Sequence, residues 1–115
     1  MANLSAIRIR YEPLRVLAFG DISTTYEIVG TPFQNPIRLI KFINETNQGI
    51  TISFDGVYDY DYIPAGSGQV YDYCTNKSDQ GGSLEQSEFD RVYVKTASSP
   101  TSGSVYVTCI YASVR

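Results

Sequence analysis

The chain has 115 residues and a net charge of −3. That length suits one domain with its own core, expected to span residues 1–115, and the basic residues form no cluster larger than Arg8, Arg10 and Arg15, which excludes the basic face of a nucleic-acid binder. Histidine is absent and there are two cysteines, so Ser-His-Asp and Cys-His catalysis, imidazole metal ligation and a four-thiolate zinc site are all excluded.

In chain order, Ala6 to Tyr11 alternates Ile7, Ile9 and Tyr11 with Arg8 and Arg10, the pattern of a strand with one wet face. Pro13 interrupts it, Leu14 to Phe19 resumes as a second apolar run, and Gly20-Asp21 ends that run. Thr24 to Val29 reads as a short strand closed by Gly30. Thr31 to Pro36 is a loop, because its two prolines exclude a central strand. Ile37 to Asn44 is the most apolar segment and is expected to be a central strand, with Asn44 to Gly49 as its turn.

Ile50, Ile52 and Phe54 alternate with Thr51 and Ser53, Asp55-Gly56 reverses the chain, and Tyr58, Tyr60 and Tyr62 alternate with Asp59 and Asp61. This predicts a β-hairpin. A two-residue loop would set Asp59 opposite Ile52 and bury a carboxylate, so a three-residue loop is expected, with Gly56 left-handed, Ile52 opposite Tyr58 and Ile50 opposite Tyr60. Pro64 to Gly68 is then a loop, and Gln69 to Cys74 is a strand. Arg91 to Thr96 is another strand, Ser98 to Gly103 a turn, and Ser104 to Ala112 the last strand. Gln86 to Asp90 has room for one helical turn at most. Eight or nine short strands without helical spacing predict an all-β, antiparallel, jelly-roll-like sandwich.

No apolar run approaches the ~20 residues of a membrane span, and Met1-Ala-Asn-Leu4 lacks the start of a signal peptide. The expectation is a protein made in a cytoplasm without membrane contact, with Cys74 and Cys109 as free thiols, the alternative being a bridge between them if the mature protein meets oxidant. Ten tyrosines fit either half-buried strand faces or a contact surface, and the sequence leaves both open.

Asp55, Asp59, Asp61 and Asp72 lack the spacing of a dedicated calcium loop. Asp59 and Asp61 lie on one face of one strand, unlike carboxylates that oppose each other across a glycosidase cleft. Gly66-Ser67-Gly68 precedes a strand instead of the helix N-terminus that phosphate binding uses. No catalytic residue, metal or cofactor is expected, and the chain is read as a non-enzyme.

The longest stretch without strand pattern is Thr75 to Asp90. Loops of this length are uncommon in compact domains and are often functional. Its candidate partner-binding residues are Asn76 and Lys77 in a polar rim, with Leu84 and Phe89 as apolar anchors. The alternative is that Leu84 and Phe89 fold back on their own sandwich.

Between residues 30 and 112 the order of signals is Asn35-Pro36-Ile37, Asn44-Glu45-Thr46, Ile52 to Gly56, Ile63 to Ser67, Val70 to Asp72, Thr75 to Lys77, Val92 to Lys95 and Ser102 to Thr108. In that order they resemble the small β-sandwich structural proteins encoded among the virion genes of tailed bacteriophages. The resemblance implies a multi-copy virion component, such as a head decoration protein or a part of the head-to-tail connector or tail. Its implied partners are major capsid, connector or tail subunits and further copies of itself, and its implied place is the virion, after synthesis in the bacterial host cytoplasm. Residues 1–29 carry no part of the likeness. The reading from a different class is a carbohydrate-binding module, with tyrosines stacking on sugar rings.

Overall fold

A computed structural model describes residues 8–73, 86, 87 and 89–113. The nine strands among the described residues are β1 (Arg8–Tyr11), β2 (Arg15–Ala18), β3 (Glu27–Ile28), β4 (Leu39–Asn44), β5 (Ile50–Ser53), β6 (Asp61–Ile63), β7 (Ser67–Asp72), β8 (Tyr93–Thr96) and β9 (Ser104–Ser113). They form two antiparallel sheets packed as a β-sandwich. Sheet A runs β1-β9-β4-β7, with β2 also on β9, and sheet B runs β3-β8-β5-β6. Among the described residues the only helical piece is a 3₁₀ turn at Phe19–Asp21. The central strand expected over Ile37 to Asn44 forms as Leu39–Asn44, between β9 and β7, while Ile37 instead bridges Gln86.

The core lies between the sheets. Ile40 and Phe42 of β4, Ile50 and Ile52 of β5, Val94 of β8, and Val105, Val107 and Cys109 of β9 are buried there. The connection after Gly30 contributes Phe33 and Ile37, both fully buried. Its backbone is satisfied by residues near the start of β8: Phe33 N donates to Asp90 O at 2.8 Å, and Ile37 and Gln86 exchange two bonds of 2.7 and 2.8 Å. No helical turn forms among the described residues from Gln86 to Asp90; Gln86 makes an isolated antiparallel bridge instead.

Proline 13 marks a register change. Tyr11 faces Ile110 in one register and Arg15 faces Val107 in the next, so Glu12 to Leu14 hold one residue more than the facing part of β9. This is a β-bulge, and it turns Arg15 inward where strict alternation from Ile9 and Tyr11 would turn it out. Glu12 and Arg15 therefore meet inside the sandwich, 2.8 Å apart and almost fully buried. Arg15 also donates to Thr31 O at 2.9 Å and Pro32 O at 3.1 Å, while Glu12 accepts from Gln34 N at 3.0 Å and Asn35 Nδ2 at 2.8 Å. The Arg15 guanidinium also lies 5.3 Å from the Phe33 ring centroid. The pair fastens residues 31–35 to the bulge. Gly30, at φ +71°, lets the stem of Arg15 pass where a Cβ would lie 2.6 Å from its Cγ.

Asn44 closes the opposite end. Its Nδ2 donates to Gln48 O, Ile63 O and Pro64 O at 2.9 to 3.2 Å, and its Oδ1 accepts from Thr46 N and Thr46 Oγ1 at 3.0 and 2.7 Å. One buried amide thus ties the β4–β5 turn to the β6–β7 corner, which explains why an Asn-x-Thr sequence ends β4.

The predicted hairpin register is not the one that forms. Ile50 faces Ile63, Thr51 faces Tyr62 and Ile52 faces Asp61, so the connection runs from Phe54 to Tyr60. Tyr58 and Tyr60 are exposed and share no buried face with Ile50 and Ile52. Two physical effects decide this. First, Asp55 captures the chain beyond it: its Oδ1 accepts from Val57 N and Tyr58 N at 2.8 and 3.0 Å, bonds that compete with a tight hairpin ladder. Second, the carboxylate opposite isoleucine is not buried, because β6 is an edge strand where Asp61 stays exposed and accepts from the Tyr71 hydroxyl of the other sheet. The left-handed glycine is present, with Gly56 at φ +74°.

Candidate functional site

The Phe54 to Tyr60 connection folds over the outer face of sheet B and gathers aromatic and acidic side chains there. Ser53 is consequently fully buried although it points outward from β5, and its Oγ accepts from Gly56 N at 2.9 Å and donates to Asp55 Oδ1 at 2.8 Å. Asp55 Oδ2 accepts the Tyr60 hydroxyl at 2.6 Å. That bond, followed by those from the Tyr58 and Val57 amides, holds the Asp55 carboxyl well below its usual range. Asp59 accepts the Tyr26 hydroxyl, pairs with Lys95 Nζ at 3.2 Å and is likewise held low, first by Tyr26 and then by Lys95. The Lys95 ammonium lies 4.5 Å from the Tyr26 ring centroid.

The same contacts raise the phenols. Burial, then the Asp59 contact, pushes Tyr26 up. Hydrogen bonding to Asp55 does so for Tyr60, and burial followed by Asp61 does so for Tyr71. Around these fixed groups Val57, Tyr58, Tyr60 and Tyr62 are 56 to 69% exposed. The result is a hydrogen-bonded surface that presents carboxylates, the Lys95 ammonium and open aromatic rings.

A second surface covers the outside of sheet A. Tyr11, Ile110 and Leu39 lie side by side across β1, β9 and β4, and Val16, Tyr106 and Ile43 do so across β2, β9 and β4. Ile9 and Ala112 extend the first row, and Lys41 is the charged residue between the rows on β4. β1 is exposed on both faces, not on one as its alternation predicts, since no residue of Arg8–Tyr11 is covered.

Of the four residues proposed for partner binding, Phe89 is 74% exposed. Its backbone is at φ +71° and its N donates to Phe33 O at 2.7 Å, so a fixed main chain presents an uncovered ring. Phe89 therefore does not fold back over its own sandwich. Asn76, Lys77 and Leu84 lie outside the described residues, as does Cys74, whereas Cys109 is a buried free thiol pushed up to about 11 by its burial.

Both surfaces had signals in the sequence. Tyrosine alternating with aspartate from Tyr58 to Tyr62 offers no apolar face, and such a segment has little reason to enter a core. Leu39-Ile40-Lys41-Phe42-Ile43 and Val105 to Tyr111 are nearly continuous apolar runs, typical of strands covered on both faces. The union of Tyr26, Asp59 and Lys95 had no such signal, because the three come from distant parts of the chain.

Fold and surfaces together define an antiparallel β-sandwich with an exposed tyrosine-rich face on sheet B and a partly exposed, largely apolar outer face on sheet A. Comparison with family models, with curated proteins and with solved structures finds no match for this chain.

Proposed function

We propose that the chain is a non-enzymatic structural subunit of a tailed-phage virion, present in many copies and bound to neighbouring capsid, connector or tail subunits. The observation that carries this reading is the outer face of sheet A. β4 and β9 have the composition of strands covered on both sides, yet Leu39, Ile43, Tyr106 and Ile110 on their outer face are only half-buried, and Tyr11 beside them is exposed. Contiguous apolar surface of this kind marks a place where another protein sits. The order of sequence signals described above supplies the virion context. The uncovered Phe89 adds a further contact point outside the core.

The test is incorporation. Val16→Lys and Ile43→Lys place charge on the outer face and leave the inward residues untouched. The double variant is expected to fold, by circular dichroism and melting temperature, and to be missing from particles assembled with it as sole source of the protein. Normal incorporation of this folded variant would contradict the reading.

Carbohydrate binding draws support from the open rings of Tyr58, Tyr60 and Tyr62. It is the weaker reading, because both Asp55 oxygens and the hydroxyls of Tyr26, Tyr60 and Tyr71 are already engaged within the chain, leaving few directional partners for sugar hydroxyls.

A further inference from the structure

We infer that the outer face of sheet A is a two-fold interface that packs on the same face of a second copy of this chain, an inference that rests on the multi-copy reading above and names the partner of that face. Register decides which residues form it. Val105, Val107 and Cys109 point inward, so Tyr106, Thr108 and Ile110 point outward, and the residues paired with them on β1, β2 and β4 go with them. The same alternation carries Arg8 and Arg10 to the inward side of β1, away from this face.

The face is apolar from edge to edge. Sheets that meet only water blunt their edge strands with charge. Here the edges carry large apolar groups instead: Ile9 and Tyr11 on β1 are 62 and 67% exposed, Val16 on β2 is 47% exposed and Val70 on β7 is 49% exposed. Between them Leu39, Ile43, Tyr106 and Ile110 are half-buried.

Its size suits a dimer. β9 contributes 10 residues, about 34 Å at ~3.4 Å per residue, and four strands at ~4.8 Å spacing give a width of roughly 15 to 19 Å. The projected area is on the order of 500 Å², and the accessible area of the pleated face is larger. It approaches the roughly 800 Å² that each partner brings to a standard specific interface, and lies at the upper end of the apolar patches that monomers expose.

Charge favours a second copy over a charged neighbour. The strand residues of the face include one base, Lys41, and one acid, Asp72, set diagonally across the β4–β7 pair. The face is therefore neutral, although the chain carries −3. Two such faces meet with neither sign in excess, whereas a strongly charged partner would find no matching field. Interfaces between identical chains are also the more apolar class. Sheet-on-sheet packing, at about 10 Å, is already how the sandwich itself is built. Because one patch serves both copies, the contact closes at two and leaves the sheet B face and Phe89 to other subunits.

The experiment uses the full chain in light scattering coupled to size exclusion and in sedimentation equilibrium. Wild type is expected to form a discrete dimer with a Kd of about 10 μM or tighter. Raising salt should hold or strengthen it, since the contact is apolar and the two chains repel. Val16→Lys with Ile43→Lys, folded by circular dichroism, should weaken the dimer by about a hundredfold or more, because the contact would then bury unpaired ammonium groups. Val57→Ser with Tyr58→Ser, on the sheet B face, should leave it unchanged. If the lysine double variant unfolds, Val16→Lys alone decides, with an expected loss of about tenfold. A monomeric wild type at high micromolar concentration, the result if another part of this chain or a different protein covers the face, would overturn the inference. So would a dimer that survives in the folded lysine variant, growth beyond two copies, or dissociation by salt. A monomeric wild type alongside many copies in purified particles would sink the two-fold contact and leave the virion reading standing. A dimer abolished by the lysine variant alongside absence of the protein from particles would uphold the contact and sink the virion reading.

Discussion

Replacing Arg15 with methionine should be among the most damaging single changes in the chain. Methionine preserves most of the apolar stem that packs beside Gly30 and Phe33 but removes the charge. Glu12 is then left almost fully buried with only Gln34 N and Asn35 Nδ2 as donors, and the carbonyls of Thr31 and Pro32 lose theirs. Breaking a buried ion pair from one side costs about 3 to 5 kcal/mol, and the orphaned carbonyls add roughly 1 kcal/mol or more if water does not reach them. A total of roughly 4 to 6 kcal/mol is a large part of the ~5 to 15 kcal/mol of an ordinary domain. Urea unfolding followed by tyrosine fluorescence and circular dichroism measures it. Converting Glu12 to leucine in the same chain should recover part of the loss, because the isolated charge is gone; full recovery is not expected, since Gln34 N and the two carbonyls still lack partners. A loss below about 1 kcal/mol for Arg15→Met would refute the claim that this pair fastens residues 31–35 to the bulge.

Asn44→Ala should cost roughly 3 kcal/mol or more, from several neutral bonds of about 1 kcal/mol each in a buried site; a urea midpoint equal to wild type would contradict the role given to its amide. Gly56→Val should lose well over ~1 kcal/mol, because φ is +74° and the Tyr93 ring lies 3.3 Å from the Cβ position; coincident denaturant midpoints would count against it. Burial raises Cys109 from an ordinary value of 9.0 to about 11, so its contribution is fully present below pH 9 and is lost as pH rises through 11. Cys109→Val should therefore be less sensitive than wild type across that interval, by an amount on the order of 2 kcal/mol, and parallel stability curves would refute this. Asp55 is held low, so the order it gives to residues 55–60 is present above the ordinary carboxylate range and is lost as acid takes the pH below its folded value; nuclear magnetic resonance should still show protected Val57 and Tyr58 amides at pH 4.

Alternation made the two-sheet architecture legible: Ile40 with Phe42, Ile50 with Ile52, and Val105 with Val107 all point inward as their spacing requires. The β5–β6 register was not legible. Burying aspartate is costly in a covered strand, and that cost disappears at an open sheet edge, where Asp61 reaches solvent and the Tyr71 hydroxyl. Nor was the inward turn of Arg15. Pro13 reads as an interruption, but whether one residue is inserted against β9 depends on a partner almost a hundred residues away. Glu12 and Arg15 on either side of that proline do offer a clue, since opposite charges flanking a strand break are well placed to pair across a bulge. Of the partner-binding candidates, Phe89 could be picked out as an apolar residue in polar surroundings, whereas the contact of Tyr26 with Asp59 depends on tertiary folding alone.

The proposal that this sandwich is a repeated virion subunit is tested most directly by its copy number in purified phage particles, measured by quantitative mass spectrometry against the major capsid protein. A fixed stoichiometry that survives repeated density-gradient purification is expected: about six or twelve copies for a connector or tail ring, on the order of hundreds for a head decoration protein. Absence from the particles, with the protein abundant in the infected-cell lysate, would contradict it.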